Sequence, residues 1–291
     1  MTHYAQKLKN LFLISALILS LPLSAQNIVT AYTTGYFKTN YAFMVSGGEW
    51  KSVRIPIPFY VIRHPQKGLI LFDSGLGEEF VSQEQSWWVH RLANSLLPLE
   101  FDSQKDPAAL QLAREGIDPQ DVRYIIISHL HYDHAGGLRD FPNAKIVVSR
   151  EEWSQAHVDR WKARGRGVMR DQLEGLAHRL ELVDYSKSIP FENFDKTIDL
   201  FQDGFLRLIS TPGHTPGHQS LLVTPPPSQG QPVLLTGDAA WVMENVTVPL
   251  PKSLLIQWME EDGPLAWKTL KKLHEFSKNH PEIKIIPGHQ P

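Results

Sequence analysis

The sequence predicts a layered α/β domain with mixed sheets. Short runs rich in Ile, Val, Leu and Phe recur along the chain, each closed by Gly, Pro or a polar cluster. Stretches with helical start and stop signals lie between them, and the two apolar runs nearest the N-terminus are close enough to pair as a hairpin. Strands alternating with helices, with hairpins among them, are the signature of sheets covered by helices.

The first 25 residues fall outside that pattern. Lys7 and Lys9 precede an apolar run from Leu11 to Leu23, and Ser24-Ala25 supply small residues for cleavage. This is the build of a secretory signal, and the run is shorter than the ~20 residues of a membrane span. The expectation is a signal peptide over 1–25 and one domain over 26–291, exported to the periplasm or secreted, with no stable membrane anchor after cleavage. An uncleaved N-terminal anchor is the alternative, and it leaves the domain outside the cytoplasm too. Losing the two lysines takes the formal charge from −2 to −4, so no nucleic acid is expected as partner. The chain has no cysteine, which excludes disulfides and thiolate ligands and leaves His, Asp and Glu to hold any metal.

Strands are predicted over 58–63, 68–72, 124–128, 145–149, 206–210, 233–235 and 283–286. A helix over 108–115 follows Asp106-Pro107 and stops at Gly116; another over 264–278 has Ala266, Leu270 and Leu273 on one face. Residues 82–106, with Trp87, Trp88, Leu92, Leu96 and Leu97 at near-helical spacing, read either as a helical flap over a pocket or as ordinary core. Residues 224–232, with three consecutive prolines, read as a surface connection.

The chemistry is concentrated in Ser128-His129-Leu130-His131-Tyr132-Asp133-His134-Ala135-Gly136-Gly137, four candidate ligands in six residues directly after an Ile-rich strand. On extended backbone His129 and His131 point the same way, and the Gly pair is expected to turn the chain so that Asp133 and His134 face a neighbouring point. One ion cannot readily take all four, so two adjacent ions are expected. Three later strands lead into Thr211-Pro212-Gly213-His214, Thr236-Gly237-Asp238 and Pro287-Gly288-His289, each with Gly before the candidate ligand. Strand ends that deliver ligands into Gly-lined loops are what a site at one edge of a sheet requires.

The pattern His129-x-His131-x-Asp133-His134 with His214, Asp238 and His289 resembles the metallo-β-lactamase superfamily. Within it, Ile55-Pro56-Ile57-Pro58-Phe59-Tyr60, Leu71-Phe72-Asp73-Ser74-Gly75 and Asp238-Ala239-Ala240 look like the N-acyl homoserine lactonases. The resemblance implies a four-layer αβ/βα sandwich with two divalent metal ions, zinc foremost, at the edge between its sheets. It assigns His129, His131 and His214 to the first ion, Asp133, His134 and His289 to the second, and Asp238 to both, with Asp133 and Asp238 as catalytic residues. Two such ions ~3.5–4 Å apart share a water and lower its pKa toward neutrality, which makes hydroxide available to attack a carbonyl. The expected activity is opening of a lactone ring, on a small-molecule substrate with an apolar tail. Other hydrolases of the fold, a thioesterase of glyoxalase II type or a β-lactamase, are the rivals; a binding protein without turnover is a third reading, and homodimerisation is left open.

Several residues carry blander expectations. Asp73 should orient a ligating His through its other ring nitrogen, and His218 should be structural. His90, His157, His178, His274 and His280 have no ligand-like context, and Trp153 and Trp161 should pack in the core. The basic run Arg160, Lys162, Arg164, Arg166 and Arg170 reads as a solvated helix face. Two features depart from the lactonases: Trp241 stands where they carry a Tyr that helps to hold the substrate carbonyl, and the sequence stops two residues after His289, which predicts a frayed ligand and a loosely held second ion.

Overall fold

The computed structural model describes residues 27–77, 98–157, 163 and 165–291. The expected signal segment, the stretch holding Trp87, Trp88 and His90, and Arg160, Trp161, Lys162 and Arg164 lie outside the described residues.

Two sheets face each other. The first contains β1 (Val29–Asn40), β2 (Ser52–His64), β3 (Gly68–Phe72), β4 (Leu99–Glu100), β5 (Val122–Ile126), β6 (Lys145–Ser149) and β7 (Leu180–Val183), in the order β4-β1-β2-β3-β5-β6-β7. The second contains β8 (Ile189–Phe191), β9 (Phe194–Asp199), β10 (Leu206–Ser210), β11 (Gln219–Val223), β12 (Val233–Leu235) and β13 (Lys284–Ile286), in the order β13-β12-β11-β10-β9-β8. β1, β2 and β3 form an antiparallel meander, while β3, β5, β6 and β7 run parallel, so the first sheet is mixed as expected.

Strand periodicity separates the layers. In β2, Tyr60 and Ile62 point to the second sheet while Phe59 and Val61 point away; in β3, Ile70 and Phe72 face in and Leu71 faces out. The second sheet mirrors this, with Leu206, Leu208, Leu221, Val223, Val233 and Leu235 facing in and Ile209, Leu222 and Leu234 facing out. Strands buried on both faces read as continuous apolar runs, which is why they were visible in the sequence. Helix α1 (Ala108–Arg114) buries Ala108, Ala109 and Leu112 on the outside of the first sheet. Helix α2 (Gly263–Asn279), capped by Asp262, buries Leu270, Leu273 and Phe276 on the outside of the second. The result is four layers, helix, sheet, sheet, helix.

The predicted strands at 68–72, 145–149, 206–210 and 233–235 have the observed bounds, whereas the strand at 124–128 is found at Val122–Ile126. Ile127 N–H still donates to the Val147 carbonyl, and the ladder gives way at Ser128, whose N–H is taken by the Asp73 carboxylate. At the end of the expected flap, Leu99–Glu100 pairs with Tyr36 and Phe37 of β1. Trp153 is half-buried against the outer core of the first sheet.

The Gly pair after His134 corrects an expectation. Neither Gly136 nor Gly137 has a positive φ, and residues 132–135 form a helical turn that needs no glycine. Glycine is needed there for close approach: a Cβ on Gly136 would lie 2.5 Å from the Tyr132 carbonyl oxygen, and one on Gly137 2.6 Å from that of Ser74. Gly213 meets both constraints, with φ at 133° and its Cβ position 2.3 Å from the Ala266 backbone at the start of α2. Gly213→Ala is expected to lower unfolding free energy by about 3 kcal/mol or more, combining backbone strain with overpacking. Gly116→Ala, at a φ of 78° but in open space, should cost about 1–2 kcal/mol. Urea unfolding of the two variants measures the difference.

Candidate metal centre

All seven candidate ligands arrive at one edge of the sandwich. β5 runs into Ser128–His134, and β10, β12 and β13, which share one direction, lead into the loops carrying His214, Asp238 and His289. Gln219 ties the sheets together at this edge, its N–H donating to the Ser128 carbonyl and its side-chain amide to the Ile127 carbonyl.

The donor atoms form interlocking groups. His129, His131 and His214 make one, Asp133, His134 and His289 another, and within each the donors lie within 4.8 Å of one another. Asp238 lies between them: its Oδ1 is 3.3 Å from His134 Nε2 and 3.2 Å from His289 Nε2, and its Oδ2 is 3.3 Å from His214 Nε2. Asp133 Oδ2 is 3.6 Å from His134 Nε2 and 3.7 Å from His289 Nε2. His214 Nε2 and His131 Nδ1 approach to 3.1 Å.

The far side of each ring fixes which nitrogen faces inward. His134 Nδ1 donates to Asp73 Oδ2 at 2.8 Å and His289 Nδ1 to the Pro56 carbonyl at 2.7 Å. His129 Nδ1 lies 3.0 Å from Ser128 Oγ, which itself donates to Asp73, and His214 Nδ1 lies 3.2 Å from Glu260 Oε1. These partners leave the Nε2 lone pairs of four imidazoles aimed at the interior. His129 Nε2, His134 Nε2 and Asp238 Oδ1 are buried without a hydrogen-bond partner. Orphaned ring nitrogens and a carboxylate oxygen converging on shared points are a donor set that divalent cations complete, so the residues fit two metal ions.

Charge is arranged unevenly. Burial pushes His129 and His131 well below the usual imidazole range, with neighbouring imidazoles adding to the effect. Burial opposes protonation of His134 as well, but Asp133, Asp238 and Asp73 overcome it and hold that ring well above its ordinary value. His289 is raised in the same way by Asp238 and Asp133 against burial. Asp238 is held well below the carboxylate range by His289 and His134 despite its burial.

Asp73 has a φ of 58°, and three contacts hold it there: its carboxylate takes Ser128 N–H, Ser128 Oγ and His134 Nδ1, a group that fixes both strand end and ring. His218 is buried with Nδ1 2.8 Å from Thr211 Oγ1, its ring 5.2 Å from that of His129, and it belongs to none of the three-residue donor groups, a further one being His129, His134 and Asp238. The indole of Trp241 donates to Asp238 Oδ2 at 2.8 Å, so its one N–H is spent on the carboxylate between the two groups. The expected fraying at His289 is corrected: the residue is buried, its N–H donates to the Trp241 carbonyl, and Gln290 accepts from Met243 N–H. Arg166 reaches Glu261 at 3.2 Å and Gln155 at 2.7 Å, so this member of the basic run is committed within the chain.

Two residues at the site gave no sequence signal. Lys252 is buried with Nζ on Glu260, 2.8 Å from the Asp238 carbonyl oxygen and 4.3 Å from the Trp241 ring centroid. Glu260 is thereby held down to about 2 by Lys252 and His214 against its burial. A lysine and a glutamate in an apolar, proline-flanked stretch look like surface residues until the fold brings them to His214.

The sequence matches the metallo-beta-lactamase superfamily over residues 54–289, and the chain belongs to that superfamily. Its relatives include lactonases. It is 31% identical over 245 residues to the N-acyl homoserine lactonase AttM of Rhizobium radiobacter, covering 84% of this chain and 85% of that one. It is 32% identical over 243 residues to the N-acyl homoserine lactonase AiiA of Bacillus thuringiensis subsp. kurstaki, covering 82% and 83%. Among solved structures, an N-acyl homoserine lactone hydrolase with the product N-hexanoyl-L-homoserine at its catalytic metal center superposes with a TM-score of 0.70. The identity is 26%, over 91% of this chain and 94% of that one.

The charge pattern predicts how metal enters stripped protein. The raised pKa of His134 adds stability that is present below the free imidazole value and lost as pH rises through the raised one. A cation must displace that proton, so loading at Asp133, His134 and His289 should tighten with pH and release protons, whereas His129 and His131 are already neutral and release none. Zinc calorimetry in two buffers of different ionisation enthalpy between pH 6.5 and 8 should resolve a proton-releasing step.

Proposed function

We propose that this chain opens the ring of N-acyl homoserine lactones with two zinc ions, one held by His129, His131 and His214 and the other by Asp133, His134 and His289, with Asp238 shared. The observation that carries the reading is the division of Asp238, one oxygen toward His134 and His289 and the other toward His214. A carboxylate placed this way would help to hold both cations.

Bound there, the two ions supply the Lewis acidity and the water-derived nucleophile that ester cleavage needs. The chain's own residues do the rest. Asp133 has the most open carboxylate of the site, its side chain 11% exposed against 4% for Asp238. From that position it takes the proton of the attacking water and returns it to the ring oxygen as the acyl C–O bond breaks, which yields the open-chain hydroxy acid. Asp238, held by the Trp241 indole, keeps a fixed orientation. Trp241 also begins an apolar cluster that continues through Val242, Met169 and Phe37 to the partly exposed Tyr132, Ile256 and Met259. This surface suits an acyl tail, and the AttM and AiiA names together with the bound N-hexanoyl-L-homoserine of the solved relative support that substrate class. Because the Trp241 N–H is occupied by Asp238, this residue offers the lactone carbonyl no donor where a phenol would.

A pH-stat assay on homoserine lactones with short and long tails, a penicillin, a glutathione thioester and a phosphodiester tests the reading. Turnover of the lactones, abolished by chelation and restored by zinc, is expected; activity that survives removal of the metal would sink it. Asp133→Asn should lower kcat by about 10²–10⁴-fold and weaken zinc at the second site, with metal content measured alongside turnover. The N-terminal segment supports export, and N-terminal sequencing of protein from the periplasm or medium should begin after Ala25; an intact Met1 on the soluble protein would contradict cleavage.

A further inference from the structure

We infer that Glu152 is a positioning residue for the first metal site, a carboxylate clamp that sets the spacing between the loop of His129 and His131 and the loop of His214. The inference rests on the two-metal reading above. Glu152 lies in the short helix Arg150–Ala156, whose N-cap Ser149 accepts from Glu152 N–H. A glutamate three residues after a serine cap can bond back to the cap residue. The Glu152 carboxylate goes elsewhere. Oε1 accepts from Leu130 N–H at 3.0 Å, between His129 and His131, and Oε2 accepts from Thr215 Oγ1 at 2.7 Å and Gly217 N–H at 3.1 Å, just after His214. Ser149 Oγ closes the arrangement by donating to the Gly217 carbonyl at 2.7 Å.

The residue type follows from the donors. Two backbone N–H groups, one on each oxygen, demand an acceptor at both ends of the side chain, and an ionised carboxylate provides this. A glutamine would turn an NH₂ toward one of the two N–H groups. Gly217 lets its loop come this close, since a Cβ there would stand 2.1 Å from Glu152 N. Glu152 is 1% exposed, and burial pushes its carboxyl up to about 7 against the pull of its three donors. Packing of the helix alone would be better served by an apolar side chain, because a buried ionisable group is costly for the fold. What the carboxylate adds is a rigid link between loops that leave two different sheets, β5 on one side and β10 on the other.

The test is a zinc titration of stripped protein against a chromophoric chelator, repeated with cobalt to follow the ligand-field spectrum. Wild type should take two ions per chain. Glu152→Gln should weaken one step by about 10–100-fold and leave the other within about threefold, with kcat reduced and KM little changed. Asp73→Asn, which disturbs His134 directly and His129 through Ser128, should by contrast weaken both steps. A loss of general stability would not separate the steps in this way. Equal affinities for both steps in E152Q and wild type, or equal weakening of both in E152Q, overturn the clamp. Should E152Q fail to fold, Thr215→Val keeps the carboxylate and both backbone donors and should still weaken the same step by about 3–10-fold; a Val variant that binds like wild type overturns the proposal. A wild-type protein that binds fewer than two ions would instead overturn the two-metal reading.

Discussion

Concentrating imidazoles and carboxylates in one dry place is unfavourable unless their charges are mutually compensated, and the architecture at this edge is organised around that constraint. Asp238 is central to it, because it faces imidazoles on both sides and is itself held by the Trp241 indole. Each surrounding ring is then turned by a partner behind it: Asp73 for His134, Ser128 for His129, Glu260 for His214 and the Pro56 carbonyl for His289. These partners come from β2, from the ends of β3 and β5, and from the segment before α2, so both halves of the sandwich must be docked before the rings point inward. Site and fold are therefore one cooperative object.

Much of this was legible in the sequence because its periodicities are local. Both-face burial makes strands such as Lys145–Ser149 and Val233–Leu235 read as apolar runs, and ligands that follow strand ends after a Gly stand out against them. The supporting residues left fainter traces. Asp73 was readable because it follows a strand as the ligands do. Glu152, Lys252 and Glu260 reach the site across 14 to 65 residues of chain, and nothing within a window around them distinguishes a buried partner from a surface charge. The same limit applies to the glycines after His134, whose role is set by Ser74 and Gly75, some 60 positions earlier.

Trp241 shows how one changed side chain reorganises the surroundings. An indole has a single polar hydrogen, and here it is directed to the shared carboxylate rather than left for a substrate. The face of the ring is covered by the Lys252 ammonium, so the residue mediates between a buried cation and a buried anion. A phenol in the same place would have a hydroxyl able to give and to receive. The indole makes the carboxylate more fixed and the pocket wall more apolar.

The outer stretch between Lys252 and Glu260 carries Leu254, Leu255 and Trp258 into solvent, yet both of its ends are stapled to the cluster of candidate ligands, one at the Asp238 carbonyl and the other at His214. Its span is therefore dictated from within. Side chains along its crest are free to vary with little effect on the rings below, whereas adding or deleting a single residue would drag one staple away from its mate and unsettle the carboxylate at the heart of the site.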